Sequence, residues 1–274
     1  MERVLILGGS GLVGTAVIRE MENDGRFDVF STYHSHPEGL NPGRDLPLDV
    51  EDPESIGRAL QAAQPDLVVS CLRGDFARQL EVHQRAAEYL NGHGGRLCFF
   101  STTNVFDNDL KRPHTESDLP DAQTEYGRFK AECERRLCAV LGDCACFLRL
   151  PQVWGKDSPR LRTLLSALRS QAEIVVYPNL FHNTNTDVMI AKQLCYIITH
   201  QMTGIFHLAA EDFVNYKAFY VELAAKLGFP DAVLKEEMEE AGIFALLSER
   251  SSEFPEALRI TNQGVIHDLV TRSK

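Results

Sequence analysis

Along the first half of the chain, short apolar runs rich in β-branched and aromatic residues alternate with longer stretches whose apolar positions recur every three to four residues. The short runs read as strands buried on both faces, the long ones as helices with a single buried stripe. This pattern predicts strands over residues 4–7, 27–32, 67–71, 97–101 and 146–150, and helices over 12–23, 53–63, 76–91 and 124–141. Asp52-Pro53-Glu54 offers a cap, a proline at the first helical position and an early acid. Strand and helix in strict alternation build right-handed βαβ units, so the fold class is α/β, a Rossmann-type doubly wound parallel sheet.

After Leu150 the rhythm changes. A loop-like stretch, PQVWGKDSPR, leads to a helix over 161–170 and a short strand over 174–177. A polar loop over 179–186 follows, then a helix from Asp187, a strand over 204–209 and a helix over 216–227. Residues 1–150 are therefore expected to form the sheet domain. Residues 151–274 are expected to form a smaller α/β portion that meets the substrate, with segments interleaved with the sheet.

At the first strand–helix junction the chain reads GGSGLVG, with Gly8, Gly11 and Gly14 at steps of three. Glycine costs about 0.5–1 kcal/mol inside regular structure, so a plain turn does not call for a triplet. A nucleotide cradle does, because one glycine turns sharply, one admits a pyrophosphate and one lets helix and strand pack closely. In open α/β sheets the ligand crevice lies beyond the carboxyl ends of the strands, where Gly8, Ser70, Ser101 and Pro151 all fall.

A second group of residues lies in YGRFK, where Tyr126 and Lys130 share one helix face. A phenol is a poor proton donor or acceptor near neutrality unless a positive charge favours the phenolate, and an ammonium one turn away would supply that charge. The strand CFFSTTNVF brings Ser101, Thr102 and Thr103 to the same end of the sheet, and a threonine hydroxyl can hold a carbonyl oxygen in line with the phenol. Together with a nicotinamide these parts make an oxidoreductase site.

The residues GGSGLVG, LDVEDPESI, PDLVVS, STTNVFD, YGRFKAECE, FLRLPQVWG, TNTDVMIA and GIFHLAAEDFVNYKAFYVEL span nearly the whole chain. In this combination the chain resembles an extended short-chain dehydrogenase/reductase, and more narrowly the dTDP-4-dehydrorhamnose reductase family of sugar-nucleotide-binding proteins. The resemblance implies Thr102, Tyr126 and Lys130 as the catalytic residues, with the tyrosine giving a proton to a sugar ketone. It implies a cofactor site of Gly8, Ser10, Gly11, Leu12 and Val13 at the turn, and Thr32 and His34 after the second strand. Asp49 with Val50 would flank the adenine, and Ser70, Cys71 and Leu72, with Tyr126 and Lys130, would complete that site. The substrate would meet Arg73, Thr103, Asn104, Gln152, Trp154 and His182.

This chain departs from the family pattern around the reacting carbonyl. Ser70-Cys71-Leu72-Arg73 stands where relatives commonly carry Asn-Ala-Ala, Thr103-Asn104 where Asp-Tyr is frequent, and His83 where asparagine is often found. Arg73 is read either as a ligand for an anionic substrate group or as the partner of Asp75. His83 reads as a helix residue capping a neighbouring strand, Cys71 as packing, and Arg149 as a buried charge awaiting a structural partner. Trp154 and His182 are placed in loops overhanging the crevice, with a packing role as the alternative for each.

The end of the second strand, STYHSHP, has no acid to bond both ribose hydroxyls, while Ser31, Thr32, His34 and His36 offer donors and Arg44 is a distant candidate. NADP(H) is therefore expected ahead of NAD(H). Three functions remain in competition: an NAD(P)-dependent reductase of a nucleotide sugar or similar ketone, a catalytically idle NADP-binding regulatory subunit such as that of methionine adenosyltransferase, and a nucleotide-sugar epimerase or dehydratase.

Composition narrows the partners. With 44% hydrophobic residues among 274 the chain can bury a substantial core, and a net charge of −11 argues against nucleic acid or an anionic membrane. The seven cysteines sit mostly in apolar runs without a Cys-x-x-Cys pair, and the histidines show no ligand spacing beyond His34-x-His36 in a loop-like stretch, so neither disulfides nor a metal is expected. The first strand begins at once, without a signal core, and no apolar run reaches membrane length, so a cytoplasmic protein is expected, with a homodimer left open.

Overall fold

In the computed structural model, which describes residues 1–34 and 43–273, every apolar run of the first half is a strand. In order these elements are β1 (Glu2–Leu7), α1 (Leu12–Asp24), β2 (Phe27–Tyr33), β3 (Asp45–Pro47), α2 (Ser55–Ala63), β4 (Leu67–Ser70), α3 (Phe76–His93), β5 (Arg96–Thr102), α4 (Glu125–Leu141) and β6 (Ala145–Leu150). The second half adds β7 (Gln152–Trp154), α5 (Pro159–Ser170), β8 (Ile174–Val176), β9 (Asn179–His182), β10 (Thr184–Thr186), α6 (Asp187–Thr199) and β11 (Gly204–His207). It closes with β12 (Val214–Asn215), α7 (Tyr216–Lys226), β13 (Leu234–Glu236), β14 (Ala241–Phe244) and α8 (Asn262–Arg272).

Seven strands make the main sheet in the order β11-β6-β5-β4-β1-β2-β3, all paired in parallel. From β1 the chain winds outward through β2 and β3, then returns to β4 on the other side of β1. The crevice of a doubly wound sheet opens at such a reversal. Alternation along β1 divides the core: Val4 and Ile6 pack with α1 and α6, while Leu5 and Leu7 face α2, α3 and α4. A third cluster, built from Trp154, Leu161, Leu164, Phe219 and Val265, joins α5, α7 and α8. The helix α6 and strand β11 return from the second half to the large sheet.

Three local expectations need correction. The helix α2 starts at Ser55 rather than Pro53, because the Asp52 carboxylate accepts the Glu54 N–H at 3.0 Å and holds residues 52–54 as a turn. Residues 179–186 are two short strands rather than a loop, with β9 between β12 and β14 and β10 beside β7. The buried side chains of Asn183, Thr184, Asn185 and Thr186 tolerate burial because each is bonded. Thr184 Oγ1 donates to Asn262 Oδ1 at 2.7 Å, Asn185 Nδ2 donates to the Leu208 carbonyl at 2.9 Å, and the Thr186 hydroxyl caps α6 by accepting the Met189 N–H at 3.1 Å. Trp154 stands in β7 rather than in a loop, fully buried against Phe219 and Tyr220. His182 likewise lies in β9 and is 3% exposed. Among the described residues, no helix is long and apolar enough to cross a membrane, and no group of side chains could hold a metal ion.

Candidate active site

A cavity of about 680 Å³ opens beyond the carboxyl ends of β1, β4, β5 and β6 and is closed on its far side by α5, β9 and α7. The glycine turn forms one wall, and its geometry fits a dinucleotide pyrophosphate. Gly8 takes φ +80°, and a Cβ there would lie 2.9 Å from the Cys71 carbonyl oxygen. A Cβ at Gly14 would meet the Gly8 carbonyl oxygen at 2.5 Å, so this residue lets α1 sit directly on the turn. Gly11 has nothing closer than 3.4 Å and faces the cavity with Leu12 and Val13. It is also the N-cap of α1 and offers no side chain to the helix, which leaves the N–H groups of the first turn for an anion. Thr32 lies beneath the turn, where its buried hydroxyl accepts the Gly8 N–H at 3.0 Å and holds the loop.

Farther along the cavity stand Thr102, Tyr126 and Lys130. Thr102 ends β5 and its hydroxyl donates to Asn104 Oδ1 at 3.0 Å. Thr124 caps α4 through the Gly127 N–H at 3.1 Å, which starts the helix one residue before Tyr126 reaches the cavity. At Gly127 a Cβ would lie 2.2 Å from the Asn104 carbonyl oxygen, so glycine is what lets α4 press against the end of β5. The Lys130 ammonium is buried, donates to the Phe100 carbonyl at 2.8 Å and sits 4.4 Å from the Phe99 ring centre. Burial draws its pKa down to about 8.

Burial raises the Tyr126 phenol, and the Thr102 hydroxyl and the positive charge of Arg73 partly offset that rise. Arg73 is thus a second cation near the phenol besides Lys130, to which the spacing pointed. The lysine head turns inward to a carbonyl at the strand end.

Of the remaining expected site residues, Cys71, Leu72, Arg73, Thr103, Asn104, Gln152 and His182 line the cavity. Cys71 is held as a thiol, its pKa pushed by burial up to about 12. The Thr103 hydroxyl donates to the Leu150 carbonyl at 3.0 Å, so it ties β5 to β6. Ser70 is buried behind the lining, its hydroxyl 2.6 Å from His83 Nε2, and burial drives that imidazole down to about 3, where it stays neutral. Gly8, Ser10, Thr32, His34, Asp49, Val50 and Trp154 are absent from the lining. His34 lies 3.7 Å from the Asp49 carboxylate after β2, the place at which the adenosine end of a dinucleotide would rest. His36 falls outside the described residues. Arg44 is engaged in an ion pair with Asp28. Asp75 caps α3 by accepting the Arg78 N–H at 2.9 Å and does not pair with Arg73. Arg149 finds its structural partner in Glu134.

Ser101 lines the cavity at the strand end where it was expected, and sequence reading missed Arg160 and Tyr216, which line it too. Arg160 follows the Ser158-Pro159 start of α5 and lies 5.6 Å from the Trp154 ring, and its charge reaches His182, which burial holds near a pKa of about 3. The Ser-Pro helix start was visible in the sequence. What was not visible is that β7 and β10 pair and draw this helix over the crevice. The described lining contains Arg73, Lys130 and Arg160 and no aspartate or glutamate, in a chain whose net charge is −11.

Comparison with known proteins places this geometry. The family model described as RmlD substrate binding domain matches residues 1–259. The chain is 27% identical over 234 residues to the methionine adenosyltransferase 2 subunit beta of Danio rerio, covering 77% of this chain and 69% of that one. It is 24% identical over 221 residues to the dTDP-4-keto-6-deoxy-D-glucose reductase of Streptomyces niveus, covering 75% and 72%. The crystal structure of dTDP-4-dehydrorhamnose reductase from Bacillus anthracis in complex with NADP superposes with a TM-score of 0.82 over the full length of both chains at 16% identity, which shows a shared fold.

Proposed function

The chain belongs to the RmlD substrate binding domain family, and from that premise we propose that it reduces the keto group of a nucleotide sugar with NADP(H). One observation carries the reading. Thr102, Tyr126 and Lys130 share a carboxylate-free cavity with the open N-terminus of α1.

The turn of Gly8, Ser10, Gly11, Leu12 and Val13 would hold the pyrophosphate, Thr32 and His34 the adenosine ribose, and Asp49 with Val50 the adenine. Ser70, Cys71 and Leu72 would lie under the nicotinamide, with Tyr126 and Lys130 at its ribose. Bound there, the reduced nicotinamide supplies the hydride. Tyr126 donates the phenolic proton to the carbonyl oxygen, and Thr102 directs that oxygen through its hydroxyl. Lys130, dry and held at the Phe100 carbonyl, keeps a positive charge beside the reacting groups. Buried as it is, it loses that charge as pH rises through about 8, so reduction is expected to fall on the alkaline side of that value. Mixing NADPH-loaded protein with a panel of 4-keto nucleotide sugars tests the assignment. NADPH is expected to be consumed with at least one of them, and no consumption with any would reject it.

A second reading, an idle NADP-binding regulatory subunit, is favoured by the likeness to the methionine adenosyltransferase subunit. It requires NADPH to bind and survive every ketone offered.

The proposed preference for NADP(H) rests on the last residues of β2 and those after it, Ser31 to His34, which include no acid, with His34 the exposed donor among them. The acids nearby are engaged, Asp45 by the Ser31 hydroxyl and Asp49 by His34. Fluorescence titration with both reduced cofactors should give the lower Kd for NADPH, and tighter binding of NADH would overturn the preference.

A further inference from the structure

Many of the arginines are neutralised by acids, as Arg112 is by Asp118, Arg250 by Glu253 and Arg272 by Asp187 and Asp268. Arg73 is not. Among the described residues it makes no hydrogen bond and no ion pair, and the nearest acid in sequence, Asp75, is committed to capping α3. It directly follows Cys71 and Leu72 of the cavity wall, and Gly74, at φ +136°, turns the chain away behind it. Its positive charge reaches three groups on the cavity floor, Cys71, Tyr126 and Lys130. Arg73 thus lines the same cavity as the phenol with its guanidinium exposed and no carboxylate in the described lining to pair it, which leaves it free to take an anion. The pyrophosphate of a dinucleotide would not be that anion, since the glycine turn and the open end of α1 already receive it.

We infer that the ketone taken by this cavity carries a carboxylate on the carbon adjoining its carbonyl carbon, gripped by the Arg73 guanidinium. This rests on the reductase reading above and narrows it from nucleotide sugars in general to those whose hexose is an acid at C6. The phenol must reach the carbonyl oxygen, and Arg73 lies close enough to that phenol to act on it, so the group it binds belongs to the part of the substrate around the reacting carbon. A guanidinium matches a carboxylate with two parallel hydrogen bonds. A neutral 6-deoxyhexose would leave it unmatched.

Calorimetric titration of the protein loaded with NADP⁺ tests this, using UDP-glucuronate against UDP-glucose and the dTDP-linked pair alongside. The acidic sugar of at least one pair should bind about ten- to a hundredfold more tightly than its neutral partner, as expected for a charge-assisted bidentate contact. Arg73→Gln should erase the difference while leaving affinity for the neutral sugar, the NADP⁺ Kd and the melting temperature in place, and Arg73→Lys should keep part of it. Equal affinities in the wild type, or a preference that survives Arg73→Gln, would overturn the inference and leave the reductase reading standing. Failure of NADP⁺ itself to bind would sink that reading and the inference with it.

Discussion

Tyr126→Phe is expected to lower turnover by about 10²–10⁴-fold, the usual contribution of a positioned proton donor, with NADPH affinity almost unchanged. The substitution removes one hydroxyl from a ring that is 38% exposed at the cavity and whose packing against Phe76, at 5.9 Å between ring centres, the phenylalanine retains. Binding and catalysis should therefore separate cleanly. Lys130→Ala should damage both, because its ammonium is buried at the end of β5 between the expected ribose site and the phenol. Steady-state rates and cofactor titrations of the two variants check this together. Wild-type turnover in Tyr126→Phe, with chemistry rate-limiting, would show that another group gives the proton.

The second large effect concerns stability. Glu134→Ala should cost about 3–5 kcal/mol, because it strands the Arg149 guanidinium in the core without a counter-charge. The two side chains are 7% and 1% exposed and meet through two hydrogen bonds of 3.1 and 2.7 Å, with the guanidinium 4.9 Å from the Phe106 ring. Glu134 lies one helical turn beyond Lys130 on α4, and Arg149 lies one residue before Leu150 of the cavity wall. The pair therefore fastens the helix that carries the catalytic residues to the strand beside it. Replacing both, as Glu134→Leu with Arg149→Met, should recover much of the loss, since well-packed apolar residues can stand in for a buried ion pair. Urea unfolding of the single and double variants measures it, and a cost below about 1 kcal/mol for Glu134→Ala would mean that water reaches the guanidinium.

How much of this was legible in the sequence depends on the distance over which each feature is determined. The glycine turn and the Tyr126/Lys130 pair are local: spacing along one turn and one helix face sets them, and both appear where the pattern put them. The sheet was legible for the same reason, since each buried strand declares itself by its own apolar run. The polar strands β9 and β10 were not, because their hydrogen-bonding partners, Asn262, Leu208 and the residues of β7, lie in segments far away in the chain. Trp154 looked like a crevice residue because a loop was expected around it, and the same pairing of β7 with β10 turns it into the core. Arg160 and Tyr216 belong to helices that read as ordinary surface elements until the second half folds over the sheet. The direction in which a side chain leaves its helix was also hidden. Lys130 shares a face with Tyr126, yet its head also donates to the Phe100 carbonyl, and Arg73, far off in sequence, brings a second positive charge to the phenol.

The central claim, that this cavity carries a hydride from a nicotinamide to a sugar ketone, is tested most directly by the fate of a label. NADPH deuterated on the transferring face of the nicotinamide would be incubated with a ketone that the protein consumes, and the product analysed by mass spectrometry. The account predicts one deuterium per turnover on the former carbonyl carbon of the sugar, and none when Tyr126→Phe has stopped the reaction. Recovery of the label wholly in the cofactor, with product formed or with NADPH merely bound, would contradict it.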